Sequence, residues 1–423
     1  MPLGMPTYQK YTIQLACQNY HTKPKMKKAF ATIIVALFTF PAIAQVLTHQ
    51  DGLTYTLYNL GGTPYADVSG QLLTENTAVT IPSTITNEGI EYTVASISNR
   101  AFEFCTFLTA IDIPESVKTI GNDAFFCCTK LSSVKLPNSL QIICEHTFSF
   151  CTSLSSINLP SSVTTIGNDA FWGCNSLAHV NIPSSVTTID DSAFNACSSL
   201  VSIDIPDSVT KIGSFVFCSC DALRSVKLSN SLNEICDGVF RDCTALSDID
   251  IPTSVSTIGH EAFQNCSALT SVALPNSVKT IGEAAFNQCS SLTAVDIPCS
   301  ITDIGSGAFG ACTQLAEINY NTHDPILLPI KDIFSDDTYL WGTLNVPAGT
   351  IDIFRNSAPW SYFEIIKECD FSDIEEIAAD LDPNTPLAVY NLNGVKVADS
   401  TVNLPAGTYI VSQGTISKKI TIK

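Results

Sequence analysis

Charge is scarce in this sequence. Only 14% of its 423 residues are Asp, Glu, Lys or Arg, against about 25% in an average soluble domain. Basic residues are the scarcest of these: 21 Lys and Arg stand against 40 Asp and Glu, a formal charge of −19. A chain this acidic repels phosphate backbones, which excludes nucleic acid as a partner. Hydrophobic residues make up 45%, so the low charge does not signal disorder, which combines few apolar residues with many charges. Cysteine, at 17 residues, falls below the density of a disulfide mini-scaffold. Catalytic signatures are missing: there is no H-E-x-x-H, no G-x-S-x-G and no phosphate-binding glycine loop. The six histidines (His21, His49, His146, His179, His260, His323) are scattered, and no cysteine pairs carry zinc spacing. No cofactor and no metal is expected.

Long apolar runs are also missing, apart from one near the start. From Met26 the chain reads MKKAFATIIVALFTFPAIAQ. Lys27 and Lys28 form a positive n-region, Ala29 to Phe40 an apolar h-region, and Ala42-Ile43-Ala44 the small-residue pattern that predicts cleavage between Ala44 and Gln45. The apolar run is too short for an ordinary transmembrane helix, so the mature chain is expected to have no membrane span. Residues 1–25 read as an upstream mis-start ahead of Met26. Removing residues 1–44 takes away five lysines and no acids, moving the formal charge from −19 to −24.

What the sequence has in abundance is one phrase. Phe102, Phe125, Phe148, Phe171, Phe194, Phe217, Phe240, Phe263, Phe286 and Phe309 stand 23 residues apart without an insertion. Cysteine follows each after three residues, from Cys105 to Cys312, then leucine, from Leu108 to Leu315. Two apolar positions one residue apart come next, such as Ile203 and Ile205, usually before proline. Their period of two is that of a strand. One such unit cannot close a core alone, but stacked units bury each apolar position in a continuous ladder. The spacing predicts parallel strands near 111–113, 134–136 and onward to 318–320. Glycines such as Gly121, Gly213 and Gly282 suit a tight turn on the convex side. The ten ladder cysteines read as compact buried hydrophobes; parallel neighbours lie within disulfide reach but rarely satisfy its torsion. Cys144 and Cys236 replace the turn glycine 92 residues apart, and the segments ending there match, as expected of a duplicated four-repeat block.

The unit closely resembles the leucine-rich repeats of the BspA-like family of bacterial surface proteins, found widely in gut and oral Bacteroidetes. Residues 81–101 resemble that family's opening unit, with an inserted hairpin-like stretch, and 343–363 its closing segment. The resemblance implies an open, curved leucine-rich-repeat solenoid, and an exported interaction protein, often an adhesin. In each strand the residues flanking the first apolar position should face the concave surface. The candidate binding residues there are Asp112, Lys135, Asn158, His179, Asn181, Asp204, Lys227, Asp248, Asp250 and Asp296. Aromatic rings are absent from these columns until Tyr320, which argues against a carbohydrate groove. Asp204, Lys227 and Asp250 alternate in charge and are placed to pair laterally. Cys144-Glu145-His146 has the elements of a nucleophile and base, but neighbours on a turn seldom point at one another. Asp190-Asp191 and the run Asp373 to Glu376 read as solvated loops, without the ligand spacing of a calcium site.

The last residues are a different module. An acidic linker (370–382) leads to alternating segments at 387–398, 404–414 and 417–423, with Asn393-Gly394 as a hairpin signal and Pro405-Ala406-Gly407 as a turn. This ending, a small all-β unit, resembles the C-terminal sorting domains of type IX secretion through Gly407-Thr408-Tyr409-Ile410-Val411 and Lys418-Lys419-Ile420-Thr421-Ile422-Lys423. The expected organisation is mis-start 1–25, signal peptide 26–44, N-terminal cap 45–100, ten repeats 101–320, closing segment 321–369, linker 370–382 and β module 383–423. The expected function is binding of a protein or glycoprotein, such as host extracellular matrix or another cell-surface protein. The expected place is the exterior of a Gram-negative outer membrane, with attachment through the C-terminal module. An exported enzyme using the convex side or closing segment, and a structural spacer, stand as the alternatives.

Overall fold

A computed structural model describes residues 46–72, 75, 77–328, 332–369, 371, 387–391, 396–398, 407–413 and 416–422. The expected signal segment with Ala44 and Gln45, most of the acidic linker, and the Asn393-Gly394 and Pro405-Ala406 turn residues lie outside the described residues.

The chain opens on strands Val46–Gln50, Leu53–Leu60 and Thr63–Gln71, an antiparallel meander. Leu53, Tyr55 and Leu57 alternate inward, as the pleat requires. Thr84–Asn87 folds back antiparallel on Ile90–Ile97, so the inserted stretch is a hairpin. Ile90–Ile97 then pairs in parallel with both Thr63–Gln71 and Thr119–Ile120, which hands the chain over to the solenoid.

Each coil of the solenoid contributes to two parallel ladders. The first is made of separately paired stretches: Leu108–Asp112 with Ser133–Lys135, Ser156–Asn158 with His179–Asn181, and Ser202–Asp204 with Ser225–Lys227; a single bridge then joins Asp250 and Ala273, and Ala294–Ile297 pairs with Glu317–Tyr320. These strands lie slightly earlier than the expected 111–113 frame: Ile203 centres its strand, and Ile205 follows it. Ile205 still donates its N–H to Lys227 O at 2.8 Å, but Pro206 comes next and has no N–H to carry the ladder on. The second ladder consists of two-residue strands, among them Thr165–Ile166, Thr188–Ile189 and Lys211–Ile212, in 23-residue register.

The glycines before this second turn have a different reason from the one their position suggests. None of Gly121, Gly167, Gly213, Gly259, Gly282 or Gly305 has a positive φ. Their constraint is the neighbouring coil: a Cβ on Gly282 would lie 2.5 Å from the carbonyl carbon of Gly259, and one on Gly167 2.9 Å from Ile143 O. The left-handed slots fall instead two residues before and two after the core phenylalanine. Asp123 and Cys127, His146 and Phe150, and Phe215 and Ser219 occupy them with φ between 54° and 58°.

The core is built of stacked side-chain columns. The ten phenylalanines lie nearly parallel, with centroids 5.1 Å apart for Phe102–Phe125 and 5.8 Å for Phe194–Phe217. Phe334 adds an eleventh ring, 5.4 Å from Phe309, across a two-residue longer spacing. The cysteine column does more than fill space. Cys128 Sγ donates to Phe102 O at 3.1 Å, Cys197 Sγ to Phe171 O at 3.3 Å, and Cys312 Sγ to Phe286 O at 3.1 Å, as do six thiols between. Each bond joins one coil to the one before and gives a buried carbonyl, which already accepts from the backbone N–H three residues on, a second donor that an apolar residue of this size could not supply. The ladder thiols are unpaired, and burial raises their pKa values, that of Cys174 to about 12.

Strands Thr343–Pro347 and Ile365–Cys369 extend the first ladder beyond Glu317–Tyr320. Trp360 closes this end; it is fully buried, and its Nε1 donates to Ile326 O at 2.9 Å. Farther on, Lys396–Ala398, Leu387–Asn391, Gly407–Gln413 and Ile416–Ile422 form, in that spatial order, an antiparallel four-stranded sheet.

Candidate binding surface

On the first ladder, alternation turns one residue of each strand into the core and its two neighbours outward. Ser156–Asn158, His179–Asn181, Ser202–Asp204 and Ser225–Lys227 all show the exposed–buried–exposed pattern. All ten candidate residues therefore lie along one face. Asp112 is half-buried; Lys135, Asn158, His179, Asn181, Asp204, Lys227, Asp248, Asp250 and Asp296 are exposed. The register sets Asp112 beside Lys135, Asn158 beside Asn181, Asp204 beside Lys227, and Asp296 beside Asn319.

Charge divides the face in two. In the N-terminal half Lys135 Nζ meets Asp112 Oδ2 at 3.0 Å, which cancels the charge there. The expected lateral pairing of Asp204, Lys227 and Asp250 does not form: no ion pair joins them among the described residues, although Asp204 and Lys227 are register partners. An exposed pair is worth roughly 0–1 kcal/mol, so solvation of both groups competes with it. Asp296 is held differently, accepting from Asn319 Nδ2 at 2.7 Å, while Asn319 Oδ1 accepts from Asn345 Nδ2 at 2.7 Å. The C-terminal half thus presents Asp204, Asp248, Asp250, Asp296 and Glu317 with Lys227 as the cation among them.

Chemistry elsewhere is occupied by structure. Burial and the Glu145 carboxylate push the Cys144 thiol up, the reverse of what a nucleophile needs. His146 Nδ1 lies 3.3 Å from Ser149 Oγ, and its Nε2 lies 3.7 Å from Glu145 Oε1 and 3.8 Å from Asp169 Oδ2. The atoms are those of a serine–histidine–acid relay. Yet Ser149 is fully buried and donates its proton to Asp169 O, so no substrate reaches it. Burial lowers the His146 pKa against the opposing pull of Asp123 and Glu145. Asp191 Oδ1 accepts from Ser214 N at 2.9 Å and Asp190 Oδ1 sits 3.5 Å from Lys211 Nζ, which uses both as structural acceptors. Among the described residues no group of three or more His, Cys, Asp or Glu could hold a metal ion.

Two features were not read from the sequence. Side chains after the second ladder bridge the coils: Asn99 Oδ1 accepts from Asn122 N, Asp237 Oδ1 from His260 N, and His260 Nδ1 from Glu283 N, all at 2.8–3.0 Å. The other is a row of rings outside the main core, Phe104, Phe126, Phe150 and Trp172. Aligning residues one and two places after each core phenylalanine would have found it.

The sequence profile described as "BspA type Leucine rich repeat region" matches residues 80–201 and 188–316, in six copies. No curated relative matches the chain. Among solved structures, the pneumococcal vaccine antigen PcpA is 20% identical over 77% of this chain and 99% of its own, with a TM-score of 0.51. A leucine-rich cell surface protein from Faecalibacterium prausnitzii is 24% identical over 81% of this chain and all of its own, with a TM-score of 0.45. A leucine-rich repeat protein from Bacteroides ovatus is 24% identical over 76% of this chain and all of its own, with a TM-score of 0.37.

Proposed function

This chain belongs to the BspA-type leucine-rich-repeat family, and from that premise we propose that it is an exported, surface-displayed protein that binds a protein or glycoprotein through the first-ladder face. One observation carries the reading: small and polar side chains recur at 23-residue spacing on one side of the first-ladder strands, exposed at nearly every candidate position. Such a face distributes contacts over many strands, which suits an extended macromolecule better than a small ligand held in a closed pocket. No helix among the described residues is long and apolar enough to cross a membrane. Display at the cell exterior would then rest on the two ends of the chain: passage across the inner membrane with cleavage after Ala44, and sorting by the module at 383–423. Adhesion to host matrix is the use we assign to the face.

The test is retention of the mature chain, from Gln45 on, by immobilised extracellular-matrix proteins and mucins, beside the variant Asp204→Asn/Asp248→Asn/Asp250→Asn/Asp296→Asn. Capture that falls at least tenfold in the variant supports the reading; capture by no immobilised protein, or equal capture of both chains, refutes it. Truncation before Asp382 should leave the solenoid folded and abolish display. Undiminished display would refute the sorting role.

A further inference from the structure

The rings missing from the first-ladder columns gather at the closing end of the solenoid. Tyr320, Phe334, Phe354, Trp360 and Phe363 pack on one another there and are buried. Tyr362 and Trp341 are open to solvent instead, at 41% and 75% exposure. A cavity of about 460 Å³ lies at this end, lined by Asp336, Tyr339, Leu340, Ser361, Tyr362 and Glu364. Small-ligand pockets run from about 300 to 1,000 Å³, so its size fits one. Asp336, Tyr339 and Leu340 share a face of the short helix Asp336–Trp341, being three and four residues apart. The opposite wall is the stretch from Ser361 to Glu364, and Glu364 N donates to Tyr339 O at 3.0 Å, which ties the walls together. Tyr339 is buried against Phe363 and Phe334, with centroids 4.9 and 5.6 Å away, and meets Tyr362 edge-on at 5.9 Å. A fixed ring therefore braces the exposed one from behind.

The lining sorts ligands by their chemistry. Asp336, Ser361 and Glu364 are exposed, and among the described residues no Lys, Arg or His lines the cavity with them, so an anion is repelled. A wholly apolar ligand would strip water from two carboxylates and replace it with nothing. A quaternary or protonated amine is held best by several ring faces around it, whereas Tyr362 is a single platform because Tyr339 is buried. What remains is a neutral ligand with an apolar face for Tyr362 and Leu340 and with hydroxyls to donate to the carboxylates. A pyranose whose hydroxyls are equatorial has both, since its C–H bonds form two flat faces and its hydroxyls surround the edge. We infer that this cavity binds a neutral pyranose of that kind within a glycan chain, at a site that uses none of the first-ladder candidates.

The experiment is isothermal titration calorimetry of the mature chain with cellohexaose, beside hexagalacturonate as an anionic probe and benzyltrimethylammonium as a cationic one. Cellohexaose should bind with a millimolar or lower dissociation constant, and the two ions should not bind. Tyr362→Ala removes the platform and should weaken binding about fivefold or more, whereas Tyr362→Phe keeps the ring and should stay within about twofold of the parent. Glu364→Gln gives up a charged acceptor and should weaken binding about threefold or more. All three variants should melt as the parent does, and Asp204→Asn/Asp250→Asn should bind the sugar as the parent does. The inference is overturned if cellohexaose fails to bind, if hexagalacturonate binds as tightly, or if Tyr362→Ala binds as the parent does. It is equally overturned if Tyr362→Phe or the first-ladder variant loses as much as Tyr362→Ala. Displacement of cellohexaose by benzyltrimethylammonium would mark a cation site and overturn it too.

Discussion

Replacing one ladder cysteine tests whether these thiols hold the coils together or merely fill them. Cys197 is fully buried, and its Sγ donates to Phe171 O, one coil earlier, at 3.3 Å. In Cys197→Ala that carbonyl keeps the bond from Cys174 N at 3.1 Å and loses the thiol as its second donor, at a cost of about 0.5–1.5 kcal/mol for one hydrogen bond. The missing sulfur also leaves a void of roughly methyl size, worth about 1 kcal/mol more. The expected loss is therefore about 1.5–2.5 kcal/mol. Cys105 supplies the internal comparison: it is equally buried, at 1% exposure, but stands first in its column with no phenylalanine carbonyl of an earlier repeat to reach. Cys105→Ala should cost only the void. Cys197→Ser keeps a donor and should fall between the two. Urea unfolding of the mature chain, followed by circular dichroism, gives the midpoints. Hydrogen exchange at the amides around Phe171 shows whether the loss is local to that junction, as expected where stability resides in neighbour-to-neighbour interfaces. Equal losses in Cys197→Ala and Cys105→Ala would refute the bonding role and leave the column as packing alone.

Three further predictions concern the same coils. Burial, with Glu145 and Asp191 adding repulsion, raises the Asp169 pKa to about 7; the folded state then holds its proton more tightly than the unfolded one, so stability falls as pH rises from about 4 to 7 and levels off above. Asp169→Asn should accordingly gain on the order of 2 kcal/mol in urea unfolding at pH 8 and less at pH 5.5; an equal gain at both would refute the titration. Ala284 and Ala311 both sit at φ 54°, so Ala284→Gly and Ala311→Gly should each stabilise by about 0.5–1 kcal/mol, read as a rise in melting temperature, whereas Ala285→Gly in the buried core should lower it. Gly282→Ala should cost about 1–3 kcal/mol or more, since the added carbon meets backbone that has nowhere to move; an unchanged melting temperature would return that glycine to the role of a flexible turn.

The solenoid was legible because its signal repeats. Ten phenylalanines at one spacing locate the core column, and the paired apolar residues locate the first ladder to within about a residue. The second ladder was not legible, because strands such as Thr165–Ile166 are two residues long and show no period of their own. Glycine misled for a related reason. Sequence shows which residue stands at 282 but not that a neighbouring backbone lies 2.5 Å from its missing Cβ. The exposed–buried–exposed pattern of strands such as Ser156–Asn158 and Ser202–Asp204 was legible, since each residue's side of a strand follows from counting. Whether Asp204 meets Lys227 does not follow from counting, because partners in register still choose between each other and water. The ring row escaped notice because the repeat phrase was defined by what recurs, and these residues are the ones that do not.

The side chains that bridge coils after the second ladder bond backbone 23 residues on, from Asn99 to Asn122, Asp191 to Ser214 and Asp237 to His260. A chain held in this way has a quantised length. Deleting one residue inside a coil would shear every column beyond it, whereas deleting a whole coil would bring equivalent surfaces together and shorten the molecule by one strand spacing of about 4.8 Å. Within the repeats growth and loss proceed by whole coils, as the matching segments that end at Cys144 and Cys236 already suggest; a longer step is taken at the closing end, where Phe334 stacks 25 residues after Phe309. For a protein that presents a face to something large, the number of coils is then a ruler: it sets how far the contact extends, independently of which side chains make it.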